Sequence, residues 1–153
     1  MTVASRADLR TKFGVILATA GVHEALRFLN SRTPHRFTGL YVIDGDMLRS
    51  VDLVDVYTPD VRKGEDSAAD ETFCGLVRND DAPFATEDAR EHERLRNHPA
   101  RERVISYCGV LLRDKSGQPF GTLCHFDVMP CEIPHEELPL MEQAAQALFE
   151  ALR

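Results

Sequence analysis

Four cysteines, Cys74, Cys108, Cys124 and Cys131, are the side chains of this sequence best suited to covalent or metal chemistry. Their spacings fit no zinc motif and no CxxC is present, so they default to free thiols. Cys124 sits in an apolar run, where a free cysteine is usually a small core residue; a sensor thiol needs a lowered pKa and exposure. Cys131 follows that run and is the cysteine expected to be exposed, where it could react with oxidants. His125, followed by Phe126-Asp127, could ligate haem iron or a metal, or could be hydrogen-bonded beneath a helix. His92 and His98 lie outside any standard metal spacing and are expected at the surface, so no metal site is predicted. Asp88 and Arg90 could contact a polar ligand or pair locally. Tyr41 and Tyr107 could donate to a ligand or to backbone, since a buried phenol generally finds a partner. No Ser-His-Asp order, nucleophile elbow, phosphate loop or HExxH pattern occurs, which argues against an enzyme.

The elements that must hold these residues can be read from periodicity. Ala4 to Arg32 reads as one or two helices, with Leu9, Phe13, Ile16, Leu17, Ala25, Leu26 and Leu29 at helical spacing and a break near Gly21. Phe37 to Ile43 is a strand, Asp44-Gly45-Asp46 a tight turn, and Met47 to Tyr57 the returning strand. Thr58 to Asp66 is a polar loop. Ser67 to Arg78 reads as a helix with Ser67 as N-cap and Asp70 three residues on. Pro83 to Thr86 is a short strand. Glu87 to Arg103 carries ten charges in seventeen residues, five of each sign, and reads as an exposed loop or short helix. A last helix runs from about His135 or Pro139 to the C-terminus, with Leu138, Met141, Ala145, Leu148 and Leu152 on one stripe, expected to face a dimer partner or its own sheet.

Val104 to Leu112 and Pro119 to Phe126 flank the turn chemistry of Asp114-Lys115-Ser116-Gly117 and form a second hairpin. Pairing Arg113 with Gln118 sets Leu111 opposite Phe120, Gly109 opposite Thr122 and Tyr107 opposite Cys124. Tyr107, Gly109 and Leu111 then share a face with Phe120, Thr122, Cys124 and Phe126. Cys108, Val110 and Leu112 share the other with Gly121, Leu123 and His125. Cys108 and Cys124 therefore cannot bond to each other. Both faces are mainly apolar, so the sheet needs a cover on each side. Consecutive hairpins and amphipathic helices predict an α+β layer fold.

At 153 residues the chain is expected to be one domain, 1–153. Its net charge of −7 leaves no basic excess for phosphates, so nucleic acid is not an expected partner. The N-terminus is too charged for a signal peptide, and Gly14 to Val22 is far short of the roughly 20 residues that span a membrane. A cytoplasmic protein with no membrane partner is expected.

The runs FTGLYVID, FCG, PFATEDA, YCGVLL and GTLCHFD, followed by a helix containing LMEQAAQAL, resemble the GAF domain, a family of small-ligand-binding sensory modules. The resemblance spans nearly the whole chain and is strongest from Phe73 to Asp127. It implies a central antiparallel sheet of about six strands. The N- and C-terminal helices would cover one face, and could pair with a second copy as a homodimer. A ligand pocket would lie on the other face, under the mid-chain helix. It places Tyr107, Cys124 and Phe126 at the pocket floor, Phe37 and Tyr41 beside them, Phe73 and Cys74 in the roof, and Glu87–Arg103 as a lid. The NKFDE signature of cyclic-nucleotide binders is missing. Cys124-His125 lies in a strand, whereas bilin binders carry their Cys-His pair on a helix. Free methionine-(R)-sulfoxide reductases carry cysteines in the loop before the penultimate strand; here that loop has none, and Tyr107, Cys124 and Phe126 stand at the positions of their acids. The resemblance thus implies a sensory or regulatory domain that binds a small molecule or anion and signals through a partner protein or dimer, with no cofactor named. The alternatives are a reductase-like thiol enzyme and a ligand-free interaction module.

Overall fold

The computed structural model describes residues 5–153; Ala4, the expected start of the first helix, lies outside them. Helix α1 (Arg6–Ala20) is capped by the Ser5 hydroxyl, which accepts from Asp8 N at 3.1 Å. Gly21, at φ 92°, breaks the chain where α2 (Val22–Asn30) begins. Strands β1 (Phe37–Asp44) and β2 (Met47–Asp55) form the first hairpin, turning at Gly45 with φ 60°. Then follow β3 (Ser67–Ala68), α3 (Phe73–Asp80), β4 (Phe84–Thr86), β5 (Ser106–Arg113), β6 (Pro119–Asp127) and α4 (Glu137–Leu152). The six strands form one antiparallel sheet in the order β3-β2-β1-β6-β5-β4, so strands distant in sequence, β1 and β6, pair at its centre.

The mid-chain helix starts later than its sequence suggests. Ser67 and Ala68 pair with Leu48 and Met47 as an edge strand, and Ala69 N donates to Asp46 O at 2.8 Å. Thr72, not Ser67, is the cap: its hydroxyl accepts from Gly75 N at 3.2 Å and donates to Ala69 O at 2.9 Å. Strand pairing has overridden a local capping signal.

The second hairpin is displaced by two residues from the expected register. Leu111 faces Thr122, Gly109 faces Cys124 and Tyr107 faces Phe126. Asp114 organises a longer turn, its carboxylate accepting from Ser116 N at 2.8 Å and Gln118 N at 3.0 Å, and a bulge between Leu112 and Arg113 absorbs the remainder. A two-residue slip preserves alternation, so the face assignments hold with one exception. Phe120, next to the bulge, leaves the Tyr107 face and packs edge-on against Phe149 of α4, with ring centroids 4.9 Å apart.

Two apolar layers sandwich the sheet. On one side α1, α2 and α4 bury Phe13, Leu26, Leu29, Met141 and Leu148 against Leu40, Cys108, Val110, Leu112 and Leu123. The α4 stripe thus packs on its own sheet. On the other side Leu48, Phe73, Val77, Phe84, Leu95, Leu111 and Cys124 form a second, thinner layer under α3. No helix among the described residues is long and apolar enough to cross a membrane.

Candidate ligand-binding site

The second layer is hollow. A cavity of about 560 Å³ lies between the sheet, α3 and the loop before β3. The backbone dictates its floor: Tyr107 on β5, Cys124 and Phe126 on β6, and Phe37 and Tyr41 on β1 occupy alternate positions of adjacent strands and so share one face. Phe73 and Cys74, in the first turn of α3, come down from the roof. All seven residues expected at a pocket line this one cavity. Phe37 and Phe126 stack at 4.8 Å, and Phe73 meets Tyr107 edge-on at 5.6 Å. Glycines make room for the tyrosines. A Cβ on Gly39 would stand 2.7 Å from the Tyr41 ring, and one on Gly109 would collide with the Tyr107 hydroxyl.

At the cavity floor Cys74, Tyr107 and Cys124 converge with Thr122 beneath them. The Cys74 sulfur lies 3.0 Å from the Tyr107 hydroxyl and 3.2 Å from the Thr122 hydroxyl, with the Cys124 sulfur 4.0 Å away. The contact with Cys124, and hydrogen bonding with Thr122 and Tyr107, hold the Cys74 thiol below its ordinary value in spite of burial. Cys124, whose thiol points to Gly39 O at 3.8 Å, shifts the other way through its contact with Cys74 and through burial. Burial raises the Tyr107 and Tyr41 phenols, which keeps both protonated.

Sequence reasoning missed one wall. Leu48 and Leu53 of β2 both face the cavity although they are five positions apart, a separation that strict alternation would set on opposite faces. The register shift between Leu40 and Tyr41 explains this: Leu40 pairs with Asp52 and Tyr41 with Ser50, leaving Val51 as the extra residue. The loop read only as polar supplies Lys63, Gly64 and Glu65. It is stitched to β2 by Gly64 N donating to Ser50 Oγ at 2.8 Å and Ser50 N donating to Asp66 Oδ1 at 2.9 Å. Exposed Lys63, Glu65, Glu71 and Arg103 set two charges of each sign around the mouth.

The charged segment is less of a lid than expected. Ala89, Leu95 and Ala100 are buried in the second layer and fix it there, and of its residues only Ala100 and Arg103 line the cavity. Arg90 and Asp88 pair with each other at 2.9 Å and do not line it. His92 and His98 are half-buried rather than on the surface, their rings packing on Phe84 at 5.4 Å and Phe73 at 4.8 Å. Cys131 is likewise half-buried, its thiol raised by desolvation. His125 lies on the opposite face beneath α4, 2.9 Å from Glu137 Oε1 and 2.7 Å from Thr38 Oγ1. No cluster able to hold a metal ion occurs among the described residues.

No protein-family model and no curated protein matches the sequence. Solved structures do match in shape. The GAF domain of an Acinetobacter phosphoenolpyruvate-protein phosphotransferase superposes with a TM-score of 0.78 at 14% identity, over 99% of this chain and 94% of its own. The free methionine-R-sulfoxide reductase of Neisseria meningitidis, in complex with its substrate, gives 0.74 at 15% identity, over 98% and 92%. The nlh2 GAF domain of A. aeolicus in an inactive state gives 0.68 at 13% identity, over 97% of each chain. At such identities the likeness is one of architecture: the chain folds as a GAF domain.

Proposed function

We propose that this GAF-fold domain is a sensory or regulatory module that binds a small molecule in the cavity beneath α3. The observation that carries this reading is the cavity itself. Protein interiors are packed to crystal-like density, and about 560 Å³ of space beside Tyr107 and Cys124 falls within the range of ligand sites. The stacked Phe37 and Phe126 favour a flat or aliphatic body, and Tyr41, Tyr107 and the charged mouth favour one or two polar groups, including an anionic one held near Lys63 or Arg103. A ligand-free interaction module would instead fill this space with its own aromatic side chains.

The bound ligand touches both the sheet and the loop of residues 58–66, and so bridges the two across the mouth of the cavity. Occupancy favours the state in which that loop and α3 are closed, by the ligand's differential affinity for the two states. Output passes to a partner protein, or to a second copy through the N- and C-terminal helices.

A thermal-shift screen of the reduced protein tests the reading. The panel holds nucleotides, amino acids, methionine sulfoxides, small organic acids, inorganic anions and tetrapyrroles. A true ligand at 100 times its Kd adds about 2.7 kcal/mol of stability. The expected result is a hit whose shift disappears in Phe126→Ala. A flat screen on protein that mass spectrometry shows to carry no co-purified molecule overturns it.

A further inference from the structure

Ligand binding does not call for two sulfurs at the base of a cavity, nor for two hydroxyls within hydrogen-bond reach of one of them. Of the four cysteines, Cys108 is sealed in the helix-side layer, 3.9 Å from the Met141 sulfur, with burial pushing its thiol up to about 12. Cys131 is a loop residue with a raised pKa. Cys74 and Cys124 alone line the cavity, and so meet any small molecule that enters it. Their sulfurs are 4.0 Å apart, about twice the length of a disulfide bond, so a bond between them requires the two side chains to draw together. Helix α3, which carries Cys74, has eight residues and borders the cavity.

The hydrogen bonds assign different roles to the two sulfurs. Tyr107, kept protonated by burial, and Thr122 both have a hydroxyl proton to give the Cys74 sulfur. A thiolate at Cys74 is therefore solvated by side chains where water is scarce, and the thiolate is the reactive form of cysteine. Cys124 holds its own proton and stands ready as the resolving thiol.

We propose that Cys74 and Cys124 are an oxidisable dithiol, converted to an intramolecular disulfide by a small hydroperoxide that enters the cavity. The Cys74 thiolate attacks the outer oxygen of the hydroperoxide. The O–O bond breaks, and the leaving oxygen departs as an alcohol, or as water from hydrogen peroxide, with the proton that Cys74 released. Cys74 becomes a sulfenic acid. The Cys124 sulfur then attacks the Cys74 sulfur, the S–O bond breaks, and hydroxide leaves as water with the Cys124 proton. Two thiols lose two electrons in total and the peroxide gains them. The new bond ties α3 to β6 across the cavity floor, and a dithiol reductant restores both thiols.

The experiment uses the Cys131→Ser protein, which removes the half-buried loop thiol. The reduced protein is treated with a small excess of hydrogen peroxide, denatured, alkylated and weighed. The expected result is loss of two of the three remaining thiols, a fall in mass by two hydrogens, a peptide linking Cys74 to Cys124, and full recovery with dithiothreitol. In the added Cys124→Ser background the reaction should stop at a sulfenic acid on Cys74 that dimedone traps. Adding Tyr107→Phe should slow oxidation several-fold and move the pH dependence of Cys74 alkylation upward, with the circular dichroism spectrum unchanged. Three thiols still alkylatable after peroxide would overturn the proposal. So would oxidation of Cys124 at an unchanged rate when Cys74→Ser is introduced.

Discussion

Several polar side chains are buried on the covered helix side of the sheet. Thr38, His125 and Glu137 are wholly buried; Asn30 Nδ2 donates to Thr38 Oγ1 at 2.9 Å, and Arg32 approaches Glu137 at 3.7 Å. Buried polar groups are tolerable when bonded in this way. His35 is less well served: it is 1% exposed, stacks on His125 with centroids 5.9 Å apart, and its Nε2, like Arg32 Nε and Glu137 Oε2 nearby, has no hydrogen-bond partner. Burial, with repulsion from His125 and against attraction to Asp127, lowers its pKa to about 4. The unfolded chain takes up this proton from about pH 6.5 downward while the folded chain does so only near its own lower value. The stability is therefore complete at neutral pH and is lost as pH falls through that window. Between pH 7 and 5 the expected loss is about 2 kcal/mol. Urea unfolding at a series of pH values should show His35→Gln with a flatter profile than the wild type over this range; parallel profiles would contradict it. Gly109→Ala acts at the same scale on the other face. Its methyl collides with the Tyr107 hydroxyl, so the ring must leave the Cys74 sulfur, at a cost of about 1–3 kcal/mol. The loss should appear in denaturant midpoints and, through the missing donor, as slower alkylation of Cys74.

The elements show where sequence is a sufficient guide and where it is not. Helices α1, α2 and α4, the two hairpins and β4 were legible because periodicity and turn residues are local signals. So was the shared face of Phe37, Tyr41, Tyr107, Cys124 and Phe126, since alternation survives a two-residue slip. Bulges defeat that logic: Leu53 joined the cavity and Phe120 left it because one extra residue inverts parity. The loop wall of Lys63 to Glu65 carried no signal at all, because it is fixed by bonds to Ser50 that exist only after folding. The start of α3 failed for a related reason, strand pairing having claimed Ser67. Thr72 is thus the cap that holds the roof, with hydroxyl bonds to both Gly75 and Ala69. Thr72→Ala should cost about 1 kcal/mol. Because α3 is short and covers a hollow, the loss should be concentrated there, with hydrogen exchange of residues 73–80 quickening more than that of β5 and β6. Uniform quickening across the sheet would show α3 to be an inseparable part of the whole.

At the scale of the molecule, one sheet separates two layers of different packing. The helix side is filled: Leu148 is 0% exposed among Leu26, Met141 and the strand residues of the first layer. The other side buries an equally hidden Leu48, at 1% exposure, yet that side chain borders open space. A larger residue separates the two cases better than a smaller one, since truncation is costly in both. Leu148→Phe must displace packed neighbours and should cost about 1–3 kcal/mol. Leu48→Phe can send its added atoms into the cavity and bury them, so its denaturation midpoint should match or exceed that of the wild type. The same substitution should abolish the thermal shift produced by any ligand found in the screen, while Leu148→Phe lowers the baseline and leaves the shift in place. If Leu48→Phe proved as destabilising as Leu148→Phe, the space beneath α3 would be closed in solution, and the sheet would be flanked by two packed cores with no room for a ligand.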